Sequence, residues 1–306
     1  MLNLKSILFA TDFRGASAQA ADVAVQFATA LGAHVTLLHV VDVLPTGPLL
    51  QMQYKEHAVD LLRQTSDQLA ARNAAVTVLP IGVGSRADVI VRTADEVKAD
   101  LVLIGAGELS AGDVFSVGSV AEAVIQHARQ PVLAIRPGAD PVRFARILCP
   151  VDHSPASREG LQTAIRLATA FGGAIDVLSV VPPLRWFDKA AIVPPLRWLA
   201  TEDASKTLGG ATVEHDGNWR AEFDRFLEGA EFGNVRWTRE LRHGEPWKEI
   251  VAAAQARHSD VIVIGATGRS GVQRLLIGSV TRHVLRQLPC SLLVVKDQPA
   301  AGLSSE

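Results

Sequence analysis

The chain has 306 residues, and at about 150 residues per domain this length predicts two domains of ordinary size. Apolar residues make up 48% and charged residues 20%, a composition that supports packed cores and excludes a mostly disordered chain. The 30 Lys and Arg against 32 Asp and Glu give a formal charge of −2, so we expect no nucleic-acid partner, because such proteins are usually basic.

Membrane proteins and disulfide-linked proteins are also disfavoured. No apolar run reaches the roughly 18 to 20 residues needed to cross a bilayer, and the first residues lead into a strand-like segment instead of a signal-peptide core. We therefore expect a cytoplasmic protein without a membrane partner. The two cysteines, Cys149 and Cys290, lie in apolar surroundings without metal-ligand spacing, which predicts reduced core thiols and no zinc site.

The first part of the chain alternates short apolar runs with stretches of helical periodicity. The runs are rich in β-branched residues, as in strands that are buried on both faces. Strands that alternate with helices imply parallel βαβ units, so we predict a doubly wound α/β fold with helices on both faces of the sheet. The predicted strands are residues 7–10, 35–41, 76–79, 101–104 and 132–135, and the predicted helices include residues 20–31, 89–97 and 120–128.

The same pattern then recurs. Residues 5–12 match residues 145–152 at an offset of 140, whereas residues 99–105 match residues 259–265 at an offset of 160. The second copy therefore carries a net insertion of 20 residues between Val180 and Gly244. We predict two tandem domains, residues 1–140 and 141–306, joined at a Pro- and Gly-containing linker, with a Trp- and Pro-rich insertion at about 182–200 and a flexible tail at 297–306.

A glycine-rich loop follows the fourth strand of the second copy. Ligands of doubly wound sheets collect beyond the carboxyl ends of the strands, where this loop lies. Gly265 and Gly268 are followed nine residues later by Gly278 and Ser279, which precede a predicted helix. Glycine lets a phosphate approach the backbone, and a helix N-terminus offers free N–H groups with a partial positive charge. The loop therefore predicts an anion-binding site.

Commoner glycine motifs do not explain this loop. The chain lacks the Walker A pattern, a nucleophile elbow, a zinc-protease helix and the kinase signatures. Gly82 and Gly84 formally fit the dinucleotide-binding pattern. The matching stretch of the second copy keeps only one of these two glycines, because Gly244 is equivalent to Gly84. We therefore interpret Gly84 and Gly244 as glycines that precede a helix.

The spacing Gly265-x2-Gly268-x9-Gly278-Ser279, with Asp152 closing the first strand, resembles the ATP-binding signature of the universal stress protein family. The resemblance implies two tandem domains, each with a five-stranded, mainly parallel sheet in the order 3-2-1-4-5, and ATP as the ligand, with or without magnesium. It also implies that Gly265, Gly268, Gly278 and Ser279 hold the phosphates, while Asp152 and Val180 lie at the adenosine end. The alternative is that the glycines only shape turns and that Ser279 only N-caps a helix.

Arginines near this loop could neutralise phosphate. Arg269, Arg274 and Arg282 surround it, and Arg269, inside the loop, is the first choice, although solvated arginines are the commoner outcome. In the first copy Glu108 stands where the second copy has Gly268. Its side chain and negative charge would oppose a phosphate, so we expect only the second copy to bind ATP, although the neighbouring Gly107 could partly substitute.

All five tryptophans fall between residues 186 and 247, and the segment Val-Pro-Pro-Leu-Arg-Trp occurs twice, ending at Trp186 and at Trp198. Such segments could dock a partner, but we favour packing on their own domain because exposed Trp is costly. His39 is interpreted as a satisfied polar residue of a buried strand. His153 could reach the pocket, but Phe13 stands at its place in the first copy.

Three functions remain open. The first is an ATP-binding, nucleotide-dependent stress or signalling module, in which ATP orders the loop from Gly265 to Gly278 and changes the surface seen by an unknown protein partner. The second is a slow ATPase or nucleotidyl-transfer enzyme in which Asp152 helps to place a metal or water; the lack of an evident general base disfavours it. The third is a nucleotide-independent interaction protein that uses the Trp-rich insertion.

The assembly of the chain follows from the same resemblance. It implies that the last strands of the two copies, residues 132–135 and 292–295, pair with each other, so that one chain imitates a dimer of single domains. Unpaired edge strands tend to pair, which makes this arrangement favourable. Whether two chains associate further into a homodimer is left open.

Overall fold

A computed structural model describes residues 4–42, 47–109, 115–138, 141–183, 217–269 and 277–296. Several predicted features lie outside these residues, namely most of the insertion with Trp186 and Trp198, Arg274, and the tail 297–306. Within the described ranges, no helix is both long enough and apolar enough to cross a membrane.

The first half of the chain forms strands and helices in alternation. Helix α1 ends at Gly32, whose φ of 65° is the left-handed conformation that glycine adopts without strain. The elements are β1 (Ser6–Ala10), α1 (Gly15–Leu31), β2 (His34–Leu38), β3 (Val40–Val41), α2 (Pro48–Ala70), β4 (Ala75–Val78), β5 (Gly82–Val83), α3 (Arg86–Glu96), β6 (Leu101–Gly105), β7 (Gly107–Leu109), β8 (Phe115–Val117), α4 (Ser119–His127) and β9 (Val132–Ile135).

The second half repeats this order. Helix α5 begins after Ser154, whose hydroxyl accepts the Ser157 N–H as an N-cap, and it ends at Gly172, again with a left-handed φ of 68°. The elements are β10 (Arg146–Val151), α5 (Pro155–Phe171), β11 (Ala174–Val181), α6 (residues 217–228), β12 (Arg236–His243), α7 (Pro246–Ala256), β13 (Val261–Gly265), α8 (Ser279–Gln287) and β14 (Ser291–Val295).

Ten strands form one continuous sheet in the order β12-β11-β10-β13-β14-β9-β6-β1-β2-β4. Each half contributes five parallel strands in the order 3-2-1-4-5, so the predicted doubly wound α/β fold is confirmed twice. The halves meet where β9 and β14 pair antiparallel, with Leu133 opposite Leu293. Aromatic packing adds to this junction, because the rings of Phe27 in α1, Phe144 and Phe171 in α5 lie 4.6 to 5.3 Å apart.

The predicted second strand, residues 35–41, divides at His39. β2 pairs with β1 and β4, whereas β3 leaves the main sheet and pairs with β5. Buried His39 places Nδ1 2.7 Å from the Thr11 carbonyl, and burial lowers the pKa of its imidazole. The interpretation as a satisfied polar residue holds only for Nδ1, because Nε2 has no hydrogen-bond partner among the described residues.

Helix α6 packs on the carboxyl end of β11 around His153. The His153 ring lies 5.0 Å from that of Trp219 and 5.7 Å from that of Phe223. Trp219 Nε1 donates to Ser179 Oγ at 2.9 Å, and His153 Nε2 lies 3.1 Å from the same oxygen. Because Ser179 accepts from Trp219, its own proton is available for His153 Nε2. This assigns the imidazole proton to Nδ1, which faces Glu222.

The buried His153 makes stability depend on pH. Burial lowers the pKa of its imidazole below the ordinary 6.5, an effect that the hydrogen bond with Glu222 opposes. As the pH falls below that value, the unfolded chain takes up a proton that the folded chain resists, so the free energy of unfolding decreases. Phe13 occupies the equivalent position with φ 62° against 66° for His153, so a phenylalanine suits this backbone.

We therefore expect His153→Phe to lose less stability than the wild type between pH 6.5 and pH 5. The difference should stay below the ~1.4 kcal/mol per pH unit that a single proton allows. Urea unfolding followed by circular dichroism measures it. His57→Phe, at an exposed position of α2, is the control and should follow the wild type. The same pH dependence in all three proteins would contradict the assignment.

Candidate functional site

Two cavities lie beyond the carboxyl ends of the core strands, one in each half, where doubly wound sheets bind ligands. The cavity of the second half, called the C-cavity below, has a volume of about 450 Å³. The structure brings all seven residues predicted for the nucleotide site to its wall. These residues are Asp152, Val180, Gly265, Gly268, Arg269, Gly278 and Ser279.

The carboxylate of Asp152 connects the segments around the C-cavity. Its Oδ1 accepts the hydroxyl and the N–H of Ser154 at 2.5 and 3.1 Å, and its Oδ2 accepts the Arg269 N–H at 3.0 Å. A Cβ at Gly268 would lie 2.7 Å from Oδ2, closer than real Cβ atoms come. The loop therefore needs glycine at this position, and its bare backbone forms a cradle that any side chain would fill.

The other predicted residues of the glycine motif have different surroundings. A Cβ at Gly265 would lie 2.8 Å from the Ala156 carbonyl, so Gly265 lets β13 pack closely on α5. Gly278 is the N-cap of α8 and donates its N–H to the Ala266 carbonyl at 2.7 Å. Ser279 is thus the first residue of α8, and the alternative that it N-caps the helix is wrong. The first three residues of α8, Ser279, Val280 and Thr281, line the C-cavity. Their N–H groups have no acceptor within the helix.

The opposite wall of the C-cavity is apolar. It includes Val180 at the end of β11, Pro182 directly after that strand, and Pro246 and Ile250 of α7. Trp219 of α6 lines the cavity as well. Pro182, Pro246, Ile250 and Trp219 were not predicted from the sequence. The rule that ligands bind at strand ends could have found the prolines, whereas nothing local in the sequence relates Trp219 to the cavity.

Arg269 does not present a free charge to the C-cavity. One of its guanidinium nitrogens lies 3.0 Å from Glu222 Oε2, and the guanidinium stacks 4.7 Å above the Trp219 ring. The arginine predicted to neutralise phosphate therefore already has a carboxylate partner on α6. An anion that approached Arg269 would compete with Glu222 for it.

The cavity of the first half, called the N-cavity, is smaller, at about 310 Å³. Glu108 lies at its wall, as expected, but its carboxylate is 2.6 Å from the Arg14 guanidinium. This partner, which compensates the negative charge of Glu108, was not predicted from the sequence. The loop path also differs, since β7 and β8 pair as a hairpin and Gly107 has a φ of 149°. A Cβ there would lie 2.1 Å from the Ser116 carbonyl oxygen, so the hairpin requires glycine.

The two cysteines are free thiols. Burial raises the pKa of the Cys149 thiol, and it raises that of Cys290 to about 12, so both are unreactive free thiols. Among the described residues, no group of three or more His, Cys, Asp or Glu side chains could hold a metal ion.

Three of the five tryptophans lie in the described part of the chain. Trp219 is buried, Trp247 stacks on His283 at 5.3 Å, and Trp237 stacks on Phe232 at 4.0 Å while 39% of it stays exposed. These three pack on their own half. The prediction that the repeated segments ending at Trp186 and Trp198 pack on their own domain concerns residues outside the described part of the chain. His153 packs among the aromatic residues under α6.

Known proteins resemble this chain over half or nearly all of its length. A universal stress protein of Mycolicibacterium smegmatis is 24% identical over 302 residues, which cover 95% of this chain and 96% of that protein. One of Methanocaldococcus jannaschii is 31% identical over 155 residues, 50% of this chain and 82% of that protein. The crystal structure of a universal stress protein from Archaeoglobus fulgidus aligns with a TM-score of 0.68 and 20% identity, covering 96% of this chain and 99% of the other.

The sequence model of the universal stress protein family matches residues 3–136 and again residues 143–296. These two matches agree with the duplicated doubly wound fold and its strand order. The chain is therefore a member of the universal stress protein family that carries two family units in tandem.

Proposed function

We propose that the chain binds ATP in the C-cavity and acts as a nucleotide-dependent, cytoplasmic module of the stress response. The observation that carries the proposal is the combination, in one cavity of about 450 Å³, of an apolar wall with a glycine cradle and a helix N-terminus. Ligand sites of this kind are mostly apolar, with a few well-placed polar groups that fix the orientation of the ligand.

The apolar wall suits a purine base. Val180, Pro182, Pro246 and Ile250 offer surface that is removed from water when a planar ring lies on it. Asp152 lies between this wall and the glycine cradle, and its carboxylate oxygens can accept further hydrogen bonds from ribose hydroxyls in addition to those from Ser154 and Arg269.

The polar end suits phosphates. The cradle at Gly268 exposes backbone where any side chain would meet Asp152, and the first N–H groups of α8 carry the partial positive charge of a helix N-terminus. Because no carboxylate or histidine cluster for a metal is found in the described residues, magnesium would arrive with ATP and be held by its phosphates.

A nucleotide phosphate and Glu222 would compete for Arg269, and this competition would let nucleotide binding change the contact between the loop and α6. In this structure Arg269 joins the loop after β13 to α6 through Glu222 and Trp219. A bound phosphate would attract the same guanidinium, weaken its ion pair with Glu222, and so alter the contact between the loop and α6. We propose that a protein partner, not yet identified, distinguishes the two forms at this surface.

The glycine cradle gives the first test. We expect Gly268→Ala to weaken ATP binding at least tenfold, because its Cβ would displace the Asp152 carboxylate. Titration calorimetry with ATP and magnesium measures the affinity. Gly118→Ala is the matched control, since Gly118 N-caps α4 in the first half and a Cβ there would make only ordinary contacts, 3.7 Å at the closest. ATP that fails to bind the wild type, or binds Gly268→Ala equally well, would contradict the proposal.

The ion pair on α6 gives the second test. Glu222→Gln removes the competitor for Arg269, so we expect ATP to bind about 2- to 5-fold more tightly, as befits a partly exposed ion pair. Adenosine, which has no phosphate, should bind with unchanged affinity. Glu228→Gln, at an exposed position of the same helix, is the control. Equal changes for ATP and adenosine, or no change for either, would show that Arg269 does not reach the phosphates.

A further inference from the structure

At and beside the two cavities, two pairs of equivalent positions differ between the halves of the chain, one pair towards each end of the cavity. In the second half these positions hold small or apolar residues, whereas in the first half both pairs are ion pairs. The pairs are Pro182 with Pro246 against Asp42 with Arg86, and Ser154 with Gly268 against Arg14 with Glu108.

The first pair is equivalent by backbone structure. Asp42 and Pro182 directly follow Val41 and Val181, whose carbonyls accept the N–H groups of Gly84 and Gly244 at 3.0 and 3.1 Å. Both glycines have positive φ, 125° and 145°. Two residues after each glycine, α3 begins at Arg86 and α7 begins at Pro246, and both helices have 11 residues.

The second pair is equivalent on the same grounds. Arg14 is the N-cap of α1 and Ser154 is the N-cap of α5, and each helix has 17 residues. Glu108 and Gly268 each come ten residues before the glycine that N-caps the next helix, Gly118 in α4 and Gly278 in α8. Equivalent positions of the two halves thus carry ion pairs in one half and small or apolar residues in the other.

The Asp42–Arg86 pair places charges at the end of the N-cavity that is equivalent to the base end of the C-cavity. Arg86 lines the N-cavity, and its guanidinium lies 2.5 Å from the Asp42 carboxylate, with both side chains about half exposed. A base placed on this pair would remove two hydrated ions from water, which is unfavourable. Pro182 and Pro246 offer apolar surface instead, and burying apolar surface is favourable.

The Arg14–Glu108 pair places charges at the end of the N-cavity that is equivalent to the phosphate end of the C-cavity. At Gly268 the C-cavity presents bare backbone beside Asp152, whereas the N-cavity presents the Glu108 carboxylate held by Arg14. A phosphate entering the N-cavity would have to break this ion pair and approach Glu108 against its charge.

We propose that the two ion pairs are specificity determinants that exclude nucleotides from the N-cavity, and that Asp42–Arg86 excludes the base independently of the glycine pattern. The inference rests on the proposed function of the C-cavity. It adds that an intact glycine motif is insufficient for nucleotide binding unless the positions of Pro182 and Pro246 are uncharged.

The direct test transfers the base-end ion pair to the second half. Pro182→Asp with Pro246→Arg leaves Gly265, Gly268, Gly278 and Ser279 in place. We expect the dissociation constants of ATP and of adenosine to rise at least tenfold together, because both ligands share the base. Pro182→Ala with Pro246→Ala is the control and should bind within about threefold of the wild type, since it keeps the wall apolar.

The outcomes separate this inference from the proposed function. A wild type that binds neither ligand refutes the proposed function before any variant is made. A wild type that binds, together with a folded Asp/Arg variant whose affinity is unchanged, or weakened for ATP alone, overturns the inference.

The reverse exchange decides the matter if the Asp/Arg variant does not fold. Arg14→Ser, Asp42→Pro, Arg86→Pro and Glu108→Gly give the first half the residues of the second half and leave the C-cavity untouched. We expect titration calorimetry to show two ATP per chain, and one when only Arg14→Ser and Glu108→Gly are made. A folded four-residue variant that still binds one ATP overturns the inference. Where proline at 42 or 86 prevents folding, alanine at these positions removes the same ion pair. The alanine variant should then bind two ATP per chain, and a folded one that binds a single ATP overturns the inference.

Discussion

The approach of the loop after β13 to the Asp152 carboxylate is the contact on which the C-cavity depends. Asp152 Oδ2 accepts the Arg269 N–H at 3.0 Å, and no side chain fits at Gly268 between them. The same carboxylate holds Ser154, the N-cap of α5, through Oδ1. One side chain at the end of β10 therefore sets the position of both the loop and the start of a helix, which leaves backbone facing the cavity.

The duplicated fold shows what happens when this contact is altered. In the first half Asp12 binds the Arg14 N–H and the Ser17 hydroxyl, while the loop turns into a hairpin at Gly107. The strand order of the main sheet is the same in both halves, so the altered loop leaves this order unchanged. A doubly wound sheet tolerates this because its loops at the strand ends can vary while the core stays packed.

The fold could be predicted from the sequence because its signals are local and repeated. Buried parallel strands appear as apolar runs, and the internal match between residues 5–12 and 145–152 shows that two copies exist. The break at His39 could not be predicted, because it arises when β3 exchanges its partners in the main sheet for β5, a choice made by tertiary structure. Helix α2 was missed, and much of its first half is exposed, so its apolar periodicity is weak.

Part of the cavity wall could also be predicted from the sequence. Residues that close strands or open helices, such as Asp152 and Gly278, lie there as expected, because the fold class says where ligands bind. The ion-pair partners that compensate the charges of two predicted residues were not predicted. Glu222 pairs with Arg269 across 47 residues of the chain, and Arg14 pairs with Glu108 across 94 residues. Charge compensation across such separations has no local sequence signal, so it required the structure.

The central claim is that one chain with two copies of the fold holds a single nucleotide. Native mass spectrometry of the purified chain after incubation with ATP and magnesium tests it most directly. The account predicts one ATP bound per chain. Chains that carry two ATP, or none at saturating concentration, would contradict it.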